Sequence, residues 1–303
     1  MTPRKLPNLL TFSRLAAPSA QTIARLEAIQ QRLSHTNDEI TLQGFFALAV
    51  ASFETMLADT YRTFLQSVPA AVDLREIKVS KAALLASAST VTLLDDWIEQ
   101  RVRSEAYKKL ADFLLSTLEA LAIATPPFDE ELTGSLIEIK ETRNLLLHNN
   151  LRVSATYREN SGKWRRDRSS RTRLDVNQEY VQQSVMHLLT VSNEIQGRLQ
   201  SKYAAYTKLR ALRSVWSFMF RSSVMSFENF WVVDEEADAV LGIRLGEEAV
   251  RLATSEEILL GLWRAQFGAA DGYCETLRMG SLDSENRQKV LLFLGWLDRI
   301  SLQ

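Results

Sequence analysis

Residues 129–150 read DEELTGSLIEIKETRNLLLHNN, and this stretch decides the fold. Pro126 and Pro127 precede it, and neither they nor the residue before them suits a helix interior. Phe128-Asp129-Glu130-Glu131 then reopens a helix, with its acids in the first turn where the helix dipole favours them. Asn149 and Asn150 suit a helix C-terminus. A motif helix over about 129–149 is therefore expected. Near its end lies an Arg-x-x-x-x-His spacing, Arg143 to His148. Asn144 and His148 are one helical turn apart and share a face. Lys140 lies one turn earlier on the same stripe, and the long side chain of Arg143 reaches the same spot.

The chain on either side extends the helical reading. The whole protein has 303 residues but only 11 Gly and 6 Pro, which argues for long helices and against glycine-turned sheets. A first helix is expected from about Ser19 to Ser34. A second, capped by Asn37 or Asp38, continues to about Gln66 with Phe46, Val50, Phe53, Leu57, Tyr61 and Phe64 on one face. Further helices are expected at about 74–87, over 90–123 in one or two segments, and from about Asn177 to Tyr206, with a possible continuation to Met225. Residues 151–157 alternate and are rich in strand formers. Pairing back with 171–175, they predict a hairpin-like excursion.

Around Phe227 the character changes. Residues 227–303 hold 14 acids and 7 bases, net −7, although the whole chain is only −1. The expected organisation is a basic helical domain over 1–226 and a small acidic α+β module over 227–303. In the module, Phe230–Val233 and Ala239–Leu245 read as strands, joined by Asp234-Glu235-Glu236. Helices are expected at 246–253, 256–268 and 284–300. The fold class is mainly α.

Composition also limits the chemistry. One Cys, Cys274, excludes an internal disulfide and a cysteine-based zinc site. Three His (His35, His148 and His187) leave little room for a multi-His metal centre, although isolated carboxylates could hold Mg²⁺. No cofactor and no resident metal are expected. No run approaches 18 apolar residues, so no membrane span is expected, and Pro7, Asn8 and Arg14 break any leader-like apolar stretch. The expected location is the cytoplasm.

Arg143 and His148 define a possible reaction. An imidazole can move protons at neutral pH, and a guanidinium grips phosphate as a planar fork. A base, a phosphate clamp and the Asn144 amide suffice for metal-free RNA cleavage, in which a ribose 2′-OH attacks the neighbouring phosphorus. The plainer alternative is that Arg143 pairs with Glu54 or Glu141 and His148 caps its own helix. Glu54 sits beside the apolar face of the long helix, in line with Ala47, Ala51 and Ala58. It either orients Arg143 or is a solvated or Arg62-paired acid.

Arg143-Asn144-Leu145-Leu146-Leu147-His148, closing a helix that follows a long amphipathic one, resembles the Arg-x(4–6)-His motif of the HEPN superfamily (higher eukaryotes and prokaryotes nucleotide-binding). The polar residue after Arg resembles its ribonuclease members. The resemblance covers about residues 37–206. It implies an all-α bundle of four or five helices and a homodimer in which two motif helices form one metal-independent endoribonuclease site. Arg143, His148 and Asn144 would be catalytic, with Glu54 and Lys140 in support. It also implies a role in prokaryotic defence, as a toxin or antiviral factor, with a possible defence-complex or antitoxin partner. Regulated members often carry a Tyr two residues after the His. Asn150 stands there instead and Tyr157 is the nearest Tyr, which argues against a nucleotidyltransferase antitoxin acting at that position.

Residues 158–173 form the densest charge feature. Arg158, Lys163, Arg165, Arg166, Arg168, Arg171 and Arg173 outnumber Glu159 and Asp167, and Trp164 lies among them. Cations interleaved with an aromatic suit single-stranded RNA. A solvated loop, or a contact with the acidic module, is the other reading. Two functions thus remain open: a metal-independent endoribonuclease, or a non-catalytic helical subunit that binds RNA or protein.

Overall fold

The computed structural model describes residues 9–68, 71, 90–167 and 173–206, and the backbone of 230–235, 238–245 and 248–252. Among these the protein is mainly helical. The chain divides into two compact units, one of residues 13–66 and 74–204, the other of 1–12, 67–73 and 205–303.

The first unit is built on α1 (Phe12–Leu33), α2 (Glu39–Ser67), α3 (Thr90–Ala106), α4 (Leu110–Ala120), α5 (Glu130–Asn149), α6 (Ala155–Ser161) and α7 (Gln178–Tyr203). α1 starts well before the expected Ser19, and Pro18 lies inside it. α2 starts as the sequence indicates: the Thr41 hydroxyl and backbone N–H donate to Asp38 Oδ2 at 2.6 and 2.8 Å, and these bonds, the hydroxyl's first, hold the Asp38 carboxyl below its usual range. Phe46, Val50, Phe53 and Leu57 of α2 are fully buried. α2 is long and apolar enough to cross a membrane by length and composition, although charged and polar residues interrupt its apolar runs. Its buried aromatic and aliphatic stripe is also what a core helix of a bundle presents.

The expected helix over 90–123 is two helices, α3 and α4, separated by the loop Tyr107-Lys108-Lys109. α5 packs against α4, α6 and α7. Its cap is as the acids suggest, with Asp129 accepting from the backbone N–H groups of Glu131 and Leu132. Its interior is less usual. Glu138, Lys140, Glu141 and Thr142 are all buried, alongside Leu136 and Ile139. Asn150 closes the helix in the left-handed region, φ 47°, and Leu151 follows at φ 60°.

The hairpin-like excursion is corrected. Residues 155–161 are helical, followed by a 3₁₀ turn at Gly162–Trp164, and among the described residues one bridge, Arg152 to Arg173, joins the two flanks. Ser154 caps α6 by accepting from the Tyr157 backbone N–H, and Tyr157 is buried with Leu145 and Leu174. Capping and burial of one aromatic override the strand propensity of 151–157.

In the second unit, β1 (Phe230–Glu235), β2 (Asp238–Leu245) and β3 (Glu248–Leu252) form an antiparallel sheet of order β1-β2-β3. Val232 pairs with Leu241, and Leu241 with Leu252. The two expected strands are present, but the helix expected at 246–253 is corrected to β3. Leu245 pairs with Glu248, and residues 248–252 run antiparallel to β2. The helices expected at 74–87, 256–268 and 284–300, and the continuation beyond Tyr206, lie outside the described residues.

Candidate functional site

The C-terminal half of α5 faces a cavity of about 720 Å³, lined also by α2, the α3–α4 loop and the start of α6. Lys140, Arg143, Asn144 and His148 all line it, together with Glu54. The helical stripe read from the sequence is therefore one wall of a concavity.

Glu54 organises the charged end. One carboxylate oxygen pairs with Arg143 Nη2, and the other lies 3.2 Å from Lys140 Nζ. The Arg143 side chain is 18% exposed and that of Glu54 19%, so the pair is largely withdrawn from water yet reachable from the cavity. Arg143 Nη1 donates to Asn144 Oδ1 at 3.1 Å. Of the alternatives open for Glu54, contact with Arg143 is the one present. Arg62 pairs instead with Asp59 and Glu99.

Lys140 ties the site to its neighbour. Its ammonium donates to the carbonyls of Lys108 at 3.0 Å and Ala106 at 3.4 Å, at the end of α3. Burial lowers the Lys140 pKa, opposed by the Glu141 carboxylate. Burial likewise lowers that of Arg143, whose Nε is buried without a hydrogen-bond partner. His148 is exposed at the rim and makes no side-chain hydrogen bond among the described residues. The Asn150 and Leu151 backbone N–H groups take the Leu145 carbonyl, so backbone groups serve this helix end.

The basic segment is dispersed rather than gathered. Arg158 Nε donates to Asp167 at 2.7 Å, Arg165 is 3.8 Å from the same carboxylate, and Lys163 reaches Glu130 at 2.5 Å. Arg173 is 3.6 Å from Glu39 and 3.4 Å from Asn150. Trp164 is half-buried, its indole set directly against the Gly134 backbone of α5. Arg168 and Arg171 lie outside the described residues.

Arg166 is half-buried and engaged within the protein. It donates to Glu138 at 2.8 Å and to the Asp175 carbonyl at 2.9 Å, and its guanidinium lies 3.5 Å from the centre of the Tyr180 ring. Glu138 also accepts from Thr142 at 2.5 Å, Tyr157 at 3.0 Å and Tyr180 at 2.8 Å. Burial and the Glu138 charge raise the pKa of both tyrosines, keeping them as neutral donors. This cluster escaped the sequence reading, since its members are far apart in the chain. The one local signal was the i,i+4 pair Glu138 and Thr142.

The sequence also gave no reason to choose Tyr107, Lys108 and Lys109, which line the cavity opposite α5. Among the described residues, no three or more His, Cys, Asp or Glu side chains gather as a metal-binding group. No protein-family model, curated protein or solved structure matches this chain.

Proposed function

We propose that the cavity at the end of α5 is the active site of a metal-independent endoribonuclease of HEPN type, completed by a second copy of the chain. The observation that carries this reading is the meeting of Arg143, Asn144 and His148 with Lys140 and Glu54 in one cavity. The His148 imidazole takes the proton of a ribose 2′-OH. The resulting oxygen attacks the adjacent phosphorus, the P–O5′ bond breaks, and the leaving oxygen takes a proton from the second copy's imidazole. Arg143 holds the phosphoryl oxygens as charge develops on them. Glu54 and Asn144 occupy one N–H on each Nη of Arg143 and so fix its direction, leaving the second N–H of each for phosphate. The resemblance in the sequence supports the dimer and a role in prokaryotic defence, and the cytoplasmic location is proposed from the broken leader-like stretch at Pro7, Asn8 and Arg14.

The test is cleavage of a labelled RNA by the full chain in EDTA. Activity should persist and leave 2′,3′-cyclic phosphate and 5′-hydroxyl ends. Arg143→Ala and His148→Ala should each reduce the rate by about 100-fold or more, with helix content unchanged. Loss of cleavage on chelation, or near wild-type rates in either variant, overturns the reading. The engagement of Arg143 by Glu54 and Asn144 favours a second reading, a non-catalytic binding subunit. RNA binding without any cleavage would select it.

A further inference from the structure

Tyr107 is 91% exposed, the one exposed aromatic residue among those described. Its position is not that of a stray surface ring. It lies in the short loop between α3 and α4 and lines the same cavity as Arg143 and His148. The loop is braced from beneath. Lys140 of the motif helix donates to the carbonyls on either side of Tyr107, those of Ala106 and Lys108. The Lys108 ammonium is held at 2.7 Å by Glu105, whose side chain is 2% exposed. An aromatic ring on a held backbone loses little freedom when a ligand stacks on it. Beside it, Lys109 is exposed, lines the cavity and makes no ion pair among the described residues.

Trp164 was the aromatic first expected to stack on a base. Its indole is set against Gly134, and Lys163 lies 4.7 Å from its ring centre. Tyr180 is covered by Arg166, and Tyr157 is buried. The stacking surface that faces the site is therefore Tyr107.

Resting on the ribonuclease reading above, we infer that Tyr107 and Lys109 form a nucleotide subsite. Tyr107 stacks on an unpaired base next to the scissile phosphate, and Lys109 contacts a flanking phosphate. A paired base keeps both faces inside its helix and cannot lie on the ring, so the subsite selects single-stranded or looped RNA. Because Lys140 contacts both Glu54 and the loop carbonyls, the subsite and the phosphate clamp share one support.

The experiment measures binding of a fluorescent single-stranded oligoribonucleotide and a blunt RNA duplex to the full-length His148→Ala chain, across a salt series. Adding Tyr107→Ala should weaken single-strand binding by about 5- to 150-fold and leave duplex binding unchanged. Tyr107→Trp should bind within about twofold of the parent, because an indole stacks as a phenol does. Lys109→Ala should flatten the logarithmic salt slope by about 0.7. Unchanged single-strand affinity in Tyr107→Ala, or equal losses on both substrates, overturns the subsite. A fall in oligomeric mass without a change in affinity also overturns it, and makes Tyr107 a contact between copies. The two readings fail separately. If His148→Ala still cleaves RNA while Tyr107→Ala binds it weakly, the catalytic assignment falls and the subsite stands. If His148→Ala is dead and Tyr107→Ala binds normally, the reverse holds. A chain that binds no oligonucleotide removes both.

Discussion

Two carboxylates on the buried sides of neighbouring helices each hold an arginine, and they do opposite things. Glu138 is sealed: both oxygens are occupied, by Thr142, Tyr157 and Arg166 on one and Tyr180 on the other. Those four bonds fasten the segment after α6 to α5 and α7, although Glu138 also lines a small cavity of about 160 Å³. Among the described residues Glu54 is held by Arg143 and Lys140 alone, and it opens onto a cavity of about 720 Å³. A buried ion pair with every lone pair satisfied is a structural fastening, whereas one with a wet side can exchange partners.

The contrast breaks most visibly at Glu138. Glu138→Ala strands Arg166 and the two tyrosine hydroxyls, and should cost about 3 kcal/mol of stability in urea unfolding. A loss under about 1 kcal/mol would mean that water replaces the carboxylate and the cluster is not sealed. Glu54→Gln should cost only about 1 kcal/mol in the same measurement, yet lower the cleavage rate by roughly 10- to 100-fold through misdirection of Arg143. A stability loss equal to that of Glu138→Ala would erase the distinction.

Two adjacent arginines sharpen it further. Arg166→Ala should destabilise by about 2 kcal/mol, and Arg165→Ala by less than about 0.5 kcal/mol, since only the first enters the buried cluster. Smallest is a pH effect at His187, beside the Glu138 cluster. Burial holds its pKa below 6.5, so the unfolded chain takes up its proton first as pH falls. Its contribution is present at neutral pH and is lost as pH drops below about 6.5. His187→Gln should make the stability of the protein less sensitive to pH between 7 and 5, read from melting curves.

These differences follow what can be read locally. Asp38 and Asp129 each cap a helix within three residues, so the starts of α2 and α5 were legible, as was the stripe of Lys140, Arg143, Asn144 and His148. Glu54 could be named as a partner of Arg143 but not chosen over Glu141, because that contact depends on how α2 meets α5. The partners within the basic segment were illegible for a related reason. Seven cations in sixteen residues look like a surface for phosphate, yet the destination of Arg166 is fixed by Glu138 and Tyr180, which are distant in the chain. The α3–α4 loop carries no motif at all. Tyr107 matters only because the chain folds its loop onto the cavity that His148 also lines.

Gly134 sets the indole of Trp164 in a slot that exists only because one residue has no side chain. A methyl group there would occupy the space of the ring, while alanine in place of a mid-helix glycine adds about 1 kcal/mol of helix propensity. Gly134→Ala thus weighs the helix against the indole on a single balance. If the protein gains stability, the ring rests there loosely and the 162–164 turn can lift away with its neighbouring charges. If it loses, the smallest residue in the motif helix is a latch.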